Sequence, residues 1–454
     1  VALATDRLLD SALEPIREKV FAGQRLTHAD GLALYRSRDI FTLGQLANVV
    51  RERKHSRVAY YNINRHINYT NYCVLRCKFC SFYRPYPKPS AQVGDGYELS
   101  VEQIVEIAAE AADRGTTEVH IVGGLHPKLP FSYYTDMCRA IKQRCPGLHI
   151  KAFTAIEIVH FARIARPRMS IEEVLIALRE AGLDSLPGGG AEIFDDRVHD
   201  QAFQSKVGEK RWFDVHRTAH DLGIPSNATM LYGHVESIEE RLSHLIKLRE
   251  HQDVSLANAQ RHAGTQARRH TGSDEATKRR SDEGRGRRGQ SPIDNPQSTI
   301  PNPQSAIERA TFNCCVPLSF VPEGSELAHL PGPTGLDDLR TLAVARLMLD
   351  NFPHIKAFWP MQSPKLAQVA LNWGVDDFDG TVVWYDITKR EGRGTNRQEL
   401  SVDQIRRLIR EAGCIPVERD SLYGRVQETR GGVLMSGRQE VQASDEGTTE
   451  PTCQ

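Results

Sequence analysis

Residues 64–80 read NRHINYTNYCVLRCKFC, a strand-like run that breaks into a loop carrying Cys73, Cys77 and Cys80. The spacing is C-x3-C-x2-C, with Phe79 directly before the last cysteine. Iron–sulfur clusters are held by Cys thiolates, usually four of them. Three thiolates within residues 73–80 leave one iron of a cubane without a protein ligand, and an open coordination position is where a metal centre does chemistry. A structural zinc would want a fourth ligand and a second CxxC or His pair, and no second CxxC follows in the sequence. A redox pair at Cys77 and Cys80 leaves Cys73 without a role. An electron-transfer ferredoxin needs a fourth cysteine and a far shorter chain than 454 residues.

Outward from this stretch, short β-like runs alternate with helices opened by capping boxes. The caps are Thr27 with Asp30, Ser100 with Gln103, Ser170 with Glu173, Ser237 with Glu240 and Ser401 with Gln404. Strands are expected at 65–71, 118–124, 149–155, 184–189, 226–233, 311–320, 354–361 and 380–386. Several are nearly continuous apolar runs, the pattern of strands covered on both faces. Strands alternating with helices imply a parallel sheet, and about eight of them imply an α/β TIM-like (β/α) barrel. The reading divides the chain into a helical preface (1–60), a barrel (61–425), a disordered low-complexity insertion within it (254–309) and a disordered tail (426–454).

The insertion holds no Phe, Tyr or Trp, is rich in Lys and Arg, and ends in the near-repeat NPQSTI and NPQSAI. It falls between a helix and a strand, at the barrel end away from the expected site. It reads either as a tolerated loop insertion or as a basic arm for RNA or a partner. Lys plus Arg and Asp plus Glu are 58 each, so no global field draws the chain to nucleic acid or a membrane surface. No apolar run approaches spanning length, and the N-terminal stretch reads as an amphipathic helix. The nine cysteines lack a paired framework, which fits a reducing, cytoplasmic setting. Cys314 and Cys315 sit in a β-like run where small apolar residues belong.

In a TIM-like barrel the site forms where strands end. The second strand is followed by Gly123, Gly124 and His126, and the third by Thr154, Glu157 and His160. Gly188, Gly189, Gly190 and Glu192 follow the fourth, while the fifth brings Asn227, Thr229, His234 and Glu236. The glycines either allow a tight turn or let a ligand approach the backbone. Glu192 is either a helix-start carboxylate or a ligand contact. His126 and His234 are either structural or substrate contacts. The three glycines at 188–190 do not form a phosphate loop.

The cysteine motif resembles the radical S-adenosylmethionine (SAM) signature. NRHINYTNYCVLRCKFCSFYR, EVHIVGGLHPKLPFSYY, KAFTAIEI, GLDSLPGGGAEIF and FPHIKAFWPM together resemble the aminodeoxyfutalosine synthase family of the futalosine route to menaquinone. The likeness spans roughly residues 20–253 and 310–425. The motif and the PGGGAEI loop are shared with cyclic dehypoxanthinylfutalosine synthases and deazaflavin synthase subunits. Lys151, Thr154 and Ala155 side with the first family. The resemblance implies a 4Fe-4S cluster on Cys73, Cys77 and Cys80, with SAM at the open iron. It implies Phe79, Gly123, Gly124 and Glu192 on the SAM side, and His126, Lys151, Thr154, Asn227, His234 and Arg84 toward the substrate.

The implied reaction adds the 5′-deoxyadenosyl radical to 3-[(1-carboxyvinyl)oxy]benzoate. Aryl migration, loss of the enolpyruvyl carboxylate as CO2 or bicarbonate, and reoxidation then give aminodeoxyfutalosine. Flavodoxin or ferredoxin is the implied electron donor. A sister radical SAM enzyme, which would release free 5′-deoxyadenosine, is the nearer alternative. An RNA-associated iron–sulfur protein is the more distant one.

Overall fold

The structure, a computed structural model, describes residues 10–87, 94–190, 192–204, 206–282, 309–382 and 399–426, with the backbone alone over 262–282. Three helices come first: α1 (Glu14–Phe21), α2 (His28–Arg36) and α3 (Ile40–His55). The expected Thr27–Asp30 capping box opens α2. α3 lies against the barrel so closely that a Cβ on Gly44 would meet the Trp373 ring at 2.7 Å.

The barrel strands are β1 (Val58–Asn62), β2 (Asn64–Ile67), β3 (Glu118–Ile121), β4 (His149–Ala152), β5 (Ser226–Tyr232), β6 (Phe312–Ser319), β7 (His354–Ile355) and β8 (Asp377–Gly380). β2, β3 and β4 pair in parallel, as do β5, β6 and β7, and β1 with β8. Parallel bridges from Lys151 to Ser185, Leu186 to Ser226 and Lys356 to Asp377 join these sheets. β1 runs on into β2 through Ile63, which completes the circuit as the expected TIM-like barrel.

Between strands come α4 (Val101–Asp113), α5 (Phe131–Arg144), α6 (Ala155–Ile164), α7 (Ile171–Glu180), α8 (Asp196–Ala202), α9 (Glu209–Asp221), α10 (Ile238–Asp282), α11 (Gly335–Met348), α12 (Trp359–Gln362), α13 (Pro364–Ala370) and α14 (Val402–Glu411). The expected capping boxes open α4, α7, α10 and α14. β5 is buried along its whole length, as its apolar reading implied. Among the described residues no helix is long and apolar enough to cross a membrane.

Several expectations are corrected. Val58 to Tyr60, assigned to the helical preface, already belong to β1. A ninth strand not foreseen, β9 (Ile415–Glu418), pairs in parallel with β1. The first expected strand stops at Ile67, because Asn68 and Thr70 turn their side chains to the carbonyls of Val122 and Tyr97. The last lies earlier than expected, at Asp377–Gly380, and residues 383–386 of that reading fall outside the described residues. The segment expected to be a disordered insertion from 254 begins as helix, since α10 runs unbroken to Asp282. Its start is tied to the barrel: Ser255 Oγ lies 3.0 Å from His220 Nδ1. Residues 283–308 and the tail beyond 426 lie outside the described residues.

Candidate active site

β2 delivers the chain to the cysteine loop, and backbone hydrogen bonds fix that loop on several sides. The N–H of Val74 donates to Leu125 O after β3, that of Lys78 to Ala202 O at the end of α8, and that of Cys73 to Arg84 O. Gly124 must be glycine here, since a Cβ would stand 2.2 Å from the Tyr72 carbonyl oxygen. A Cβ on Gly123 would strike the Tyr69 ring at 2.7 Å. The turn after β3 is therefore packed directly beneath the cysteines.

Cys73, Cys77 and Cys80 line one cavity of about 290 Å³ at the strand C-termini. Burial raises all three thiols above their usual range, Cys77 to about 12, while the Lys206 ammonium nearby works the other way. Lys206 pairs with Glu192 and lies 4.9 Å over the Phe79 ring. Burial alone would discharge Lys206, but Glu192 and Cys77 hold it above its ordinary value. Glu192 adopts a left-handed φ of 52°, a strained conformation for a residue with a side chain.

Glu157 is the hub of the upper wall. Its carboxylate accepts from Thr154 N (2.7 Å) and Oγ1 (2.6 Å), Tyr69 Oη (2.7 Å) and Gly123 N (3.2 Å). One buried carboxylate thereby ties together the ends of β2, β3 and β4, though burial still pushes its pKa up. Gly188 fits against β5, where a Cβ would meet the Ala228 backbone at 2.6 Å, and its carbonyl accepts from Thr229 Oγ1.

The cavity floor is charged. Lys151 Nζ lies 2.6 Å from Glu118 Oε2, and Lys356 Nζ lies 2.8 Å from Asp379 Oδ1. His66 and His120 stack beside them with centroids 4.5 Å apart. Burial drives Glu118 up, but Lys151 and Lys356 more than reverse it, and its pKa sits well below the carboxylate range. Burial brings His66 down to about 4.

Of the residues singled out by sequence, Cys73, Cys77, Cys80, Phe79, Gly123, Gly124, Lys151, Thr154, Glu192 and Asn227 line this cavity together. Three expected substrate contacts do not. His126 accepts the N–H groups of Lys128 and Leu129 on Nδ1 and pairs with Glu98 at 2.7 Å, shaping the turn after β3. His234 meets Leu231 O and Glu236, inside the loop after β5. Arg84 holds Asp95 and the carbonyls of Ser81 and Tyr83, bracing the cysteine loop.

Sequence reading missed Lys206, Glu118, His66, His120, Lys356 and Asp379. Their signal is alternation: Glu118 and His120 on β3 share one face. A strand covered on both sides does not reveal from sequence which face looks inward. Cys314 and Cys315 are buried in β6, as read.

The model of the Radical SAM superfamily matches residues 67–248, and that of the CofH/MqnC C-terminal region matches residues 310–430. The chain is 43% identical to the aminodeoxyfutalosine synthase of Thermus thermophilus, covering 92% of this chain and 97% of that protein. It is 36% identical to the Streptomyces coelicolor aminodeoxyfutalosine synthase, over 93% and 96%. Among solved structures, methylornithine synthase superposes with a TM-score of 0.59 at 17% identity, over 88% of this chain and 97% of that one, a likeness of fold.

Proposed function

The chain belongs to the aminodeoxyfutalosine synthase family of radical SAM enzymes, and from that premise we propose that it joins the 5′-deoxyadenosyl group of SAM to 3-[(1-carboxyvinyl)oxy]benzoate. The aryl group migrates, a carboxylate leaves as CO2 or bicarbonate, one electron is given back in the final oxidation, and the product is 6-amino-6-deoxyfutalosine. The observation that carries the reading is the convergence of Cys73, Cys77 and Cys80 on one cavity, with no other cysteine lining it among the described residues. That donor set suits a cubane with one iron left open. Cys138, Cys145, Cys314, Cys315 and Cys414 are buried elsewhere, and Cys453 lies outside the described residues.

When bound, a 4Fe-4S cluster on these thiols would supply the electron that splits SAM into methionine and a 5′-deoxyadenosyl radical. The protein's task is to hold partners and exclude water and stray hydrogen donors. In this reading Gly123 and Gly124 offer bare backbone to SAM, and Phe79 and Glu192 flank it, the latter kept in place by Lys206. Lys151, Thr154 and Asn227 face the substrate, and Lys151 offers charge to one of its two carboxylates. A flavodoxin or ferredoxin provides the electron.

Anaerobically reconstituted protein, given SAM, a reductant and 3-[(1-carboxyvinyl)oxy]benzoate, should yield a product whose mass equals substrate plus adenosyl minus CO2 and minus one hydrogen, the proton and electron given up in the last step. Free 5′-deoxyadenosine as the sole nucleoside would move the function to a sister enzyme.

A further inference from the structure

TIM-like interiors are ordinarily filled by branched apolar side chains. Here β3, β4, β7 and β8 instead bring Glu118, Lys151, Lys356 and Asp379 to the cavity floor. Buried ion pairs add little stability, because apolar side chains of similar volume often serve as well or better. Two such pairs on one cavity therefore call for another explanation.

Three details point to a ligand. An ammonium has three donors, and the contact with Asp379 Oδ1 uses one on Lys356, as the contact with Glu118 does on Lys151. Asp379 Oδ2 is buried with no hydrogen-bond partner among the described residues; it can only accept, so a donor such as a water must reach it from the cavity beside any bound anion. Asp379 also holds a left-handed φ of 71°, the kind of strain that persists where function requires it.

We infer that Lys356, with Lys151 beside it, binds the ring carboxylate of the substrate at the cavity floor and so sets both its specificity and its orientation. Each lysine's charge is already balanced by its own carboxylate, so what it still offers a ligand is spare N–H donors, which suits a single monoanionic group rather than a phosphate. The lining runs from the three cysteine thiols to the lysine pairs. With the ring carboxylate on the floor, the enol ether at the other end of the molecule faces the thiols, where reaction must begin. The inference rests on the reaction proposed above.

The test compares binding of 3-[(1-carboxyvinyl)oxy]benzoate with that of 2-phenoxyacrylate, which lacks the ring carboxylate. Titration calorimetry on anaerobic, cluster-loaded protein, left oxidised so that nothing reacts, gives both affinities. Wild-type protein should prefer the diacid by about 100-fold. Lys356→Met/Asp379→Asn, which removes both charges together, should bring the preference to about threefold or less, with folding checked by thermal melt and cluster loading by absorbance. Lys356→Arg, which keeps the cation, should retain the preference. A folded, loaded double variant that still prefers the diacid by the wild-type factor overturns the floor assignment alone. Wild-type protein that binds both acids equally overturns the floor assignment alone, and wild-type protein that binds neither overturns the proposed substrate as well.

Discussion

A Cβ at Gly124 would stand 2.2 Å from the Tyr72 carbonyl oxygen, one residue before Cys73. The backbone there has no flexible side chain to move aside, so the loop itself must shift. Gly124→Ala should cost about 1–3 kcal/mol in a denaturant melt and lower the iron bound per chain after reconstitution. Cys77→Ala should remove the cluster's visible absorbance and leave product below detection, while far-ultraviolet circular dichroism stays near wild type. The cysteine motif was legible because it is local: spacing within residues 73–80 carries its meaning unaided. Lys206 and Lys356 were not, since their roles come from partners Glu192 and Asp379 brought close only by folding. His126 and His234 misled for a different reason, since the partners that occupy them are local. Both occur in loops at the active face, yet their ring nitrogens are engaged within the turns they stabilise.

Among the elements, α10 shows where a helix of the barrel ends and an addition to it begins. Gln252 exchanges hydrogen bonds with the backbone of Phe312, and Ser255 meets His220, so the helix is part of the barrel wall to this point. Replacing residues 262–308 with a short Gly-Ser linker should leave turnover within about twofold, because loop length changes closure entropy only slowly. A rate that collapses while the thermal midpoint holds would give that segment a part in catalysis. Capping boxes announced the starts of α2, α4, α7, α10 and α14 because both partners lie within four residues of sequence. β1 and β9 escaped notice for the opposite reason. VAYYN and IPVE are short, and their pairing joins residues at opposite ends of the chain.

Across the whole molecule, buried neutral histidines set the acid limit. Burial lowers His66, His149, His251 and His55 to about 4, and His220 and His244 to about 3. Above pH 6.5 these groups are neutral in both folded and unfolded chains and their stabilising contribution is complete. As pH falls from there through the folded values, the unfolded chain takes up protons that the folded one refuses, so stability is lost. His244 alone withdraws on the order of 2 kcal/mol between pH 6.5 and 5. The thermal midpoint should therefore fall by about 5 °C or more from pH 7.5 to pH 5. Asp376 belongs to a lower window: burial pushes it up, but His354 and Arg346 more than reverse this, so its contribution disappears only below the ordinary carboxylate range. A midpoint constant to pH 5 would contradict the histidine assignment. If the 5′ carbon of SAM is built into the product, SAM labelled there with carbon-13 will show it. With reductant and 3-[(1-carboxyvinyl)oxy]benzoate, the label should appear in a new carbon–carbon bond of the aryl product by NMR; label recovered only in free 5′-deoxyadenosine would contradict the account.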